Sequence, residues 1–187
     1  MVEEGKLAMH RIPRPILDAM TDPKMRQRAH ARECGECDVC CVYLPITTEG
    51  FSKPKETPCQ HLREGVCSIY SKKPDLCGDF FCTWRAGIGP REDRPDLSGF
   101  IGVMNDKTED GEDFVRIDIY ETREGVDRQV MGNHAVECNQ RFVTLVRMFP
   151  HDSEVARALV CSEDDPHYGE LAEYAKEEGV SSQWIEG

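Results

Sequence analysis

Along this chain, apolar residues alternate, cluster and recur in ways that predict different elements in different places. GFIGVMND and FVRIDIYET both read as strands, and the polar DKTEDGED lies between them, so residues 99–122 predict a β-hairpin. From Val126 to Phe149 apolar residues recur at Val130/Met131, Ala135, Cys138, Phe142, Leu145/Val146 and Phe149, a helical spacing. Ser153 can cap a short helix over EVARALVC, and Pro166 opens a last helix that Gly179 closes. Nearer the start, Asp22-Pro23 predicts a helix N-terminus. Ile46–Thr48 predicts a short strand, VCSIY another, and PDLCGDFFCTW a turn or short helix. GIGPREDRPD, residues 87–96, reads as a Gly- and Pro-rich linker.

These elements predict an α+β protein with a small, metal-organised, cysteine-rich core of short strands and a β-hairpin, followed by C-terminal helices. Residues 1–33 form a lead-in with a basic helix, 34–125 the cysteine block with its hairpin, and 126–187 a helical extension. At 187 residues the chain can bury a core without disulfides.

Charge narrows the choice of partners. The net charge of -12 argues against nucleic-acid binding and against docking on anionic lipid. The first fifteen residues hold no apolar run of signal-peptide length, and no stretch approaches the ~18 apolar residues of a membrane helix. The expected location is the cytoplasm, where thiols stay reduced and clustered cysteines read as metal-binding before disulfide. Residues 11–32 carry six Lys or Arg against two Asp, a solvated helix face or a basic surface. Residues 162–187 are acidic, and their face is a candidate surface for a protein partner.

The chemistry is concentrated in one stretch. Eight of the ten cysteines (Cys34, Cys37, Cys40, Cys41, Cys59, Cys67, Cys77 and Cys82) fall between residues 34 and 82. That density, about 16%, exceeds the roughly 8–10% that already marks a special scaffold. Thiolate sulfur selects zinc, iron–sulfur clusters or copper(I). Cys34–Cys37 and Cys37–Cys40 are two tandem two-residue gaps, a spacing shared by zinc knuckles and by the run that holds 4Fe–4S clusters. The adjacent pair Cys40-Cys41 suits two separate sites or one polynuclear site better than one tetrahedral ion. Positions 34, 37, 40 and 41 would share one face if helical, but Gly35 weakens that helix and a turn-based knuckle is the alternative. His61 reads as structural or as orienting a ligand, Cys138 as core on its helical stripe, and Cys161 as a non-ligand closing a short helix. No convincing Ser–His–Asp set and no nucleotide-cradling Gly-rich loop is apparent.

CGECDVCC, followed by PCQHL, CSIY, KP and CGDFFCTW, resembles the family of CxxCxxCC cysteine-cluster proteins, described as zinc- or iron-chelating domains. Arg94-Pro95-Asp96 and the glycine-led Gly99-Phe100-Ile101 also look like the family. The match covers residues 34–105. It departs at Lys73-Pro74, where the family commonly has Arg-Pro, and at Gly78, where it commonly has Arg. The resemblance implies that all eight cysteines are metal ligands and extends to the cysteine motif of flagellin lysine N-methylases. Two readings therefore stand side by side: a non-catalytic metal-binding module, or an iron–sulfur protein doing redox or methyl-transfer chemistry. The cofactor is a 4Fe–4S cluster or Zn2+, with the tandem gaps and the methylase motif tipping the balance slightly to iron–sulfur.

Overall fold

The computed structural model describes residues 27–28, 31–48, 50–74, 77, 80–109, 112–142, 145–151, 153, 156–162, 168–177 and 181–185. Its fold is α+β, built on a mixed five-stranded sheet whose strands lie in chain order. Two small antiparallel hairpins precede the sheet: β1 (Ile46–Thr48) with β2 (Phe51–Lys53), and β3 (Leu62–Arg63) with β4 (Val66–Cys67). The sheet begins with β5 (Phe100–Glu109) and β6 (Glu112–Glu121), the expected hairpin, but its strands run on through most of the DKTEDGED stretch read as its turn, Asp106–Glu109 pairing with Glu112–Val115.

Beyond the hairpin the chain departs from expectation. One helix, α3 (Arg128–Phe142), follows two short ones, α1 (Val39–Val42) and α2 (Pro95–Ser98). The Asp127 carboxylate starts α3 by accepting the Gln129 and Val130 N–H groups at 2.9 and 3.2 Å. The helix stops at Phe142, and Val146–Phe149 is β7, paired in parallel with Ile117–Tyr120 of β6. EVARALVC is likewise not a helix: Ala158–Ser162 is β8, antiparallel to β7. The last helix, α4 (Tyr168–Glu177), is present as expected and is followed by β9 (Ser181–Ile185), parallel to β8. Among the described residues the region after 126 is therefore two helices interleaved with three strands. Short apolar runs such as VRMF satisfy either period, and here pairing with an existing strand decides.

The sheet has different cover on its two faces, because successive strand residues point opposite ways. On one face Phe100, Ile117, Ile119, Val146 and Val160 pack against Met131, Ala135 and Cys138 of α3, all nearly or fully buried. Burial on this scale is worth about 2 kcal/mol for each large side chain. On the other face Ile101 and Tyr120 meet Tyr43, Cys82 and Trp84 of the cysteine block. Further along that face Phe149 and Leu159 meet Ala175 of α4. The cysteine block is thus a layer laid on the hairpin end of the sheet.

Residues 87–96 are a packed connection, not a free linker. Ile88, Asp93 and Pro95 are buried, and Gly99 at φ 80° ends α2 and turns the chain into β5. A side chain at Gly99 would also run into Arg123. The helix start expected at Asp22-Pro23 lies outside the described residues. Gln27 and Arg28 are helical, and the Ala31 N–H bonds back to both of their carbonyls at 3.1 Å. Among the described residues no helix is long and apolar enough to cross a membrane.

Candidate metal centre

Each thiol is delivered by a short, locally determined turn. Gly35 takes φ +55°, which lets the Cys37 N–H close on the Cys34 carbonyl at 2.9 Å. The first four-residue step is therefore a knuckle, as Gly35 suggested, and not helix. Only then does α1 begin, with the Asp38 carbonyl accepting the Cys41 and Val42 N–H groups at 2.7 and 3.0 Å. Cys40 and Cys41 sit side by side on this single helical turn. The Cys59 N–H bonds the Cys41 carbonyl at 2.9 Å, bringing the third segment in. The tight turn Glu64-Gly65, both at positive φ, folds β4 back so that Cys67 pairs with Leu62. The Cys77 N–H closes a turn on Pro74. Cys82 forms a bridge with Val103 on the free edge of β5.

The outcome is convergence. All eight cysteines of the block line one cavity of about 170 Å³. Apolar side chains, among them Leu44, Ile46, Phe51, Leu62, Phe80 and Ile101, form much of the remaining wall. All ten cysteines are free thiols, and Cys138 and Cys161 are buried elsewhere, Cys138 on α3 and Cys161 on β8. Cys161 thus ends no helix, although it stays outside the cavity. His61 lies at the cavity wall, its ring 5.7 Å from that of Phe51 and its backbone N–H 3.4 Å from the Cys59 sulfur. Among the described residues no group of three or more His, Cys, Asp or Glu side chains is arranged so as to hold a metal ion.

The charges around the cavity suit thiolates. The Lys53 side chain is 3% exposed, and its ammonium donates to the carbonyls of Val42, Pro54 and Thr57 at 3.0, 3.1 and 2.7 Å. The acidic groups acting on it are Cys59, Cys41 and Cys40, with no carboxylate among them. A buried ammonium is costly unless an opposite charge accompanies it, and thiolates would supply that charge. Burial also drives the Lys53 pKa below its ordinary value. Lys73 stands near Cys41 and Cys77, and Arg85 near Cys82. The donor set and its cations therefore fit a thiolate-held metal.

Arg94 and Asp96 acquire a role that spacing alone could not reveal. The Arg94 guanidinium grips the Asp96 carboxylate at 2.6 and 2.7 Å, and that carboxylate and the Asp96 backbone both hydrogen-bond the Cys37 thiol. The sequence signal was the RPD triplet, but nothing in it pointed to Cys37.

Burial pushes Cys37 up to about 11, Cys82 to about 12 and Cys77 upward. Cys40 is raised because it donates a hydrogen bond to Cys41 and is buried. Cys41 falls to about 7, chiefly through that bond, helped by Lys53 and Lys73. Between about pH 6 and 8 Cys37 and Cys82 thus carry protons that a metal must displace. Apparent metal affinity should rise with pH by about tenfold per unit for each displaced proton, at least roughly a hundredfold per unit for Cys37 and Cys82 together and more with Cys40 and Cys77, and fall toward acid. Competition against a chelator at several pH values, corrected for the chelator's own protons, reads this slope. A flat profile would contradict ligation by both.

A further polar chain links the block to the sheet. Cys82 and Thr83 run along the edge of β5, so their side chains point to opposite faces. Cys82 enters the cysteine layer, whereas the Thr83 hydroxyl lies 2.8 Å from His134 Nε2 on α3. His134 Nδ1 is 2.8 Å from the Asp93 carboxylate. The order Thr–His–Asp is that of a hydrolytic triad, which the sequence did not disclose. All three are buried, at 0%, 2% and 3% exposure, so no substrate reaches them and the chain acts as an internal strut. Gly102 opposite makes room for Thr83, since any Cβ there would collide with it.

No protein-family model, curated protein or solved structure matches this chain.

Proposed function

We propose that this protein is a metal-binding protein in which Cys34, Cys37, Cys40, Cys41, Cys59, Cys67, Cys77 and Cys82 hold an iron–sulfur cluster or zinc, with iron–sulfur preferred. The observation that carries this reading is the convergence of all eight thiols on one apolar-walled cavity. Independent segments reach it from 34–41, 59, 67, 77 and 82, an arrangement without purpose for thiols that merely fill a core. The adjacent Cys40 and Cys41 both face this cavity, which favours a polynuclear centre or two neighbouring ones over one tetrahedral ion. Lys53, Lys73 and Arg85 offset thiolate charge, and Phe51 and Phe80 restrict water. Bound there, a cluster would supply one-electron chemistry, whereas zinc would supply a rigid cross-link between segments. The resemblance to CxxCxxCC cysteine-cluster proteins supports the same ligand set, and a cytoplasmic location would keep it reduced.

Metal and sulfide analysis of anaerobically purified protein, with its visible spectrum, tests the proposal. Iron with matching sulfide and broad visible absorption is the expected result, and it directs attention to redox or methyl-transfer chemistry. Stoichiometric zinc on colourless protein keeps the ligand set and points to a structural or chelating module with protein partners. Protein that binds neither metal on reconstitution overturns the proposal.

A further inference from the structure

A second cavity, of about 480 Å³, lies outside the cysteine block, between the segment at Arg28–Arg32 and the turn at Gly89–Arg91. We propose that it binds a small oxyanion, inorganic phosphate or a phosphate-bearing small molecule. Among the described residues its lining includes three arginines, Arg28, Arg32 and Arg91, against one carboxylate, Glu137. In a chain of net charge -12 this is a local reversal of sign.

The single carboxylate is already engaged. One Glu137 oxygen pairs with Arg28 at 3.2 Å and the other accepts the Gly89 N–H at 3.1 Å. Arg32 is 7% exposed, yet its hydrogen bonds go to neutral acceptors, the carbonyls of Trp84, Ile88 and Gly89. The other carboxylate acting on Arg32, Asp93, is turned to His134. Arg91 is exposed on the turn and has no ion pair among the described residues. Burial and the neighbouring Arg28 and Arg91 all oppose the charge on Arg32. An anion in the cleft would relieve that repulsion. Planar guanidinium forks match phosphate oxygens in pairs, and the volume falls in the range of small-molecule sites. A long nucleic-acid strand would meet the acidic remainder of the surface, so the ligand is small.

The cleft also touches the frame of the cysteine block. Arg32 lies two residues before Cys34 and grips carbonyls that follow Cys82, so an occupant braces both ends of the block at once.

The test uses the full chain carrying whatever metal it holds on purification. Inorganic phosphate is titrated at constant ionic strength, made up with sodium chloride, and tryptophan fluorescence is followed, since Arg32 lies over the Trp84 ring at 5.1 Å. A saturable change is expected with phosphate and not with chloride. In Arg28→Gln/Arg91→Gln the half-saturating concentration should rise at least about tenfold, equivalent to ~1.4 kcal/mol. Metal content should be unchanged, which separates failure here from failure of the metal assignment. Should the double variant fold poorly, Arg91→Gln alone, at an exposed turn position, carries the test through a smaller shift in the same direction. A response that chloride reproduces, or that the variants retain at the parent's concentration, would overturn the proposal.

Discussion

Replacing Cys37 or Cys40 by serine is expected to strip the protein of metal and leave residues 34–82 open to protease. Cys37 sits on the Gly35 knuckle and Cys40 on α1, and both line the shared cavity. The block has little else to order it: its strands are two or three residues long, and Val66 and Tyr70 are 62% exposed. Where a site is absent from the unfolded chain, metal-binding energy is folding energy, on the order of 10–16 kcal/mol for structural zinc. Losing a ligand should weaken binding by more than about a hundredfold, since even residues that only orient ligands contribute 10–100-fold. Cys138→Ala is the matched control. It removes a buried thiol on α3 but should leave the metal count unchanged while costing some packing. Elemental analysis and limited proteolysis of the three variants read both effects. Full metal in Cys37→Ser and Cys40→Ser would remove these residues from the ligand set.

His134→Ala should destabilise the fold by about 3–5 kcal/mol, through the loss of the strut between Thr83 and Asp93. The substitution leaves the buried Asp93 carboxylate without its imidazole, leaves the Thr83 hydroxyl only the Cys138 thiol, and opens space beside Phe100, whose ring meets that of His134 edge-on at 5.1 Å. Urea unfolding should show the fall in midpoint, with Leu97→Ala, 55% exposed, within about 0.5 kcal/mol of the parent. Because Thr83 adjoins Cys82 on the sheet edge, His134→Ala should also loosen metal retention, whereas Leu97→Ala should not. A loss below about 1 kcal/mol would mean that the strut is dispensable.

How much of this was legible in the residues differs from element to element. The β5–β6 hairpin could be read because GFIGVMND and FVRIDIYET are two strand-like runs set either side of a polar stretch, long enough to exclude a turn alone. The last helix was legible for the same reason of length. VRMF and ALVCS read as helix in the sequence and are strands in the fold, being short apolar runs whose state is chosen by the strand they find beside them. The GIGPREDRPD segment looked like a linker because Gly and Pro mark turns, yet turns can be packed. Ile88 and Asp93 are buried there by α3 and Arg32, partners far away in sequence.

The candidate site divides along the same line. Density and two-residue gaps of thiols are local properties, so the sequence alone determined which eight cysteines cluster along the chain, and it is the ground for proposing soft-metal chemistry there. The Gly35 turn was one of two readings the sequence left open, and the structure selects it over a continuous helix. Tertiary structure alone decided that five separate segments share one cavity and that Lys53 is buried behind Cys40, Cys41 and Cys59. It likewise decided that Asp96 reaches Cys37 and that Thr83, His134 and Asp93 form a sealed chain. Apart from those of Lys53, these contacts join residues dozens of positions apart. Their free energy depends on burial and orientation, which exist only once the sheet has brought the cysteine layer to one face and α3 to the other.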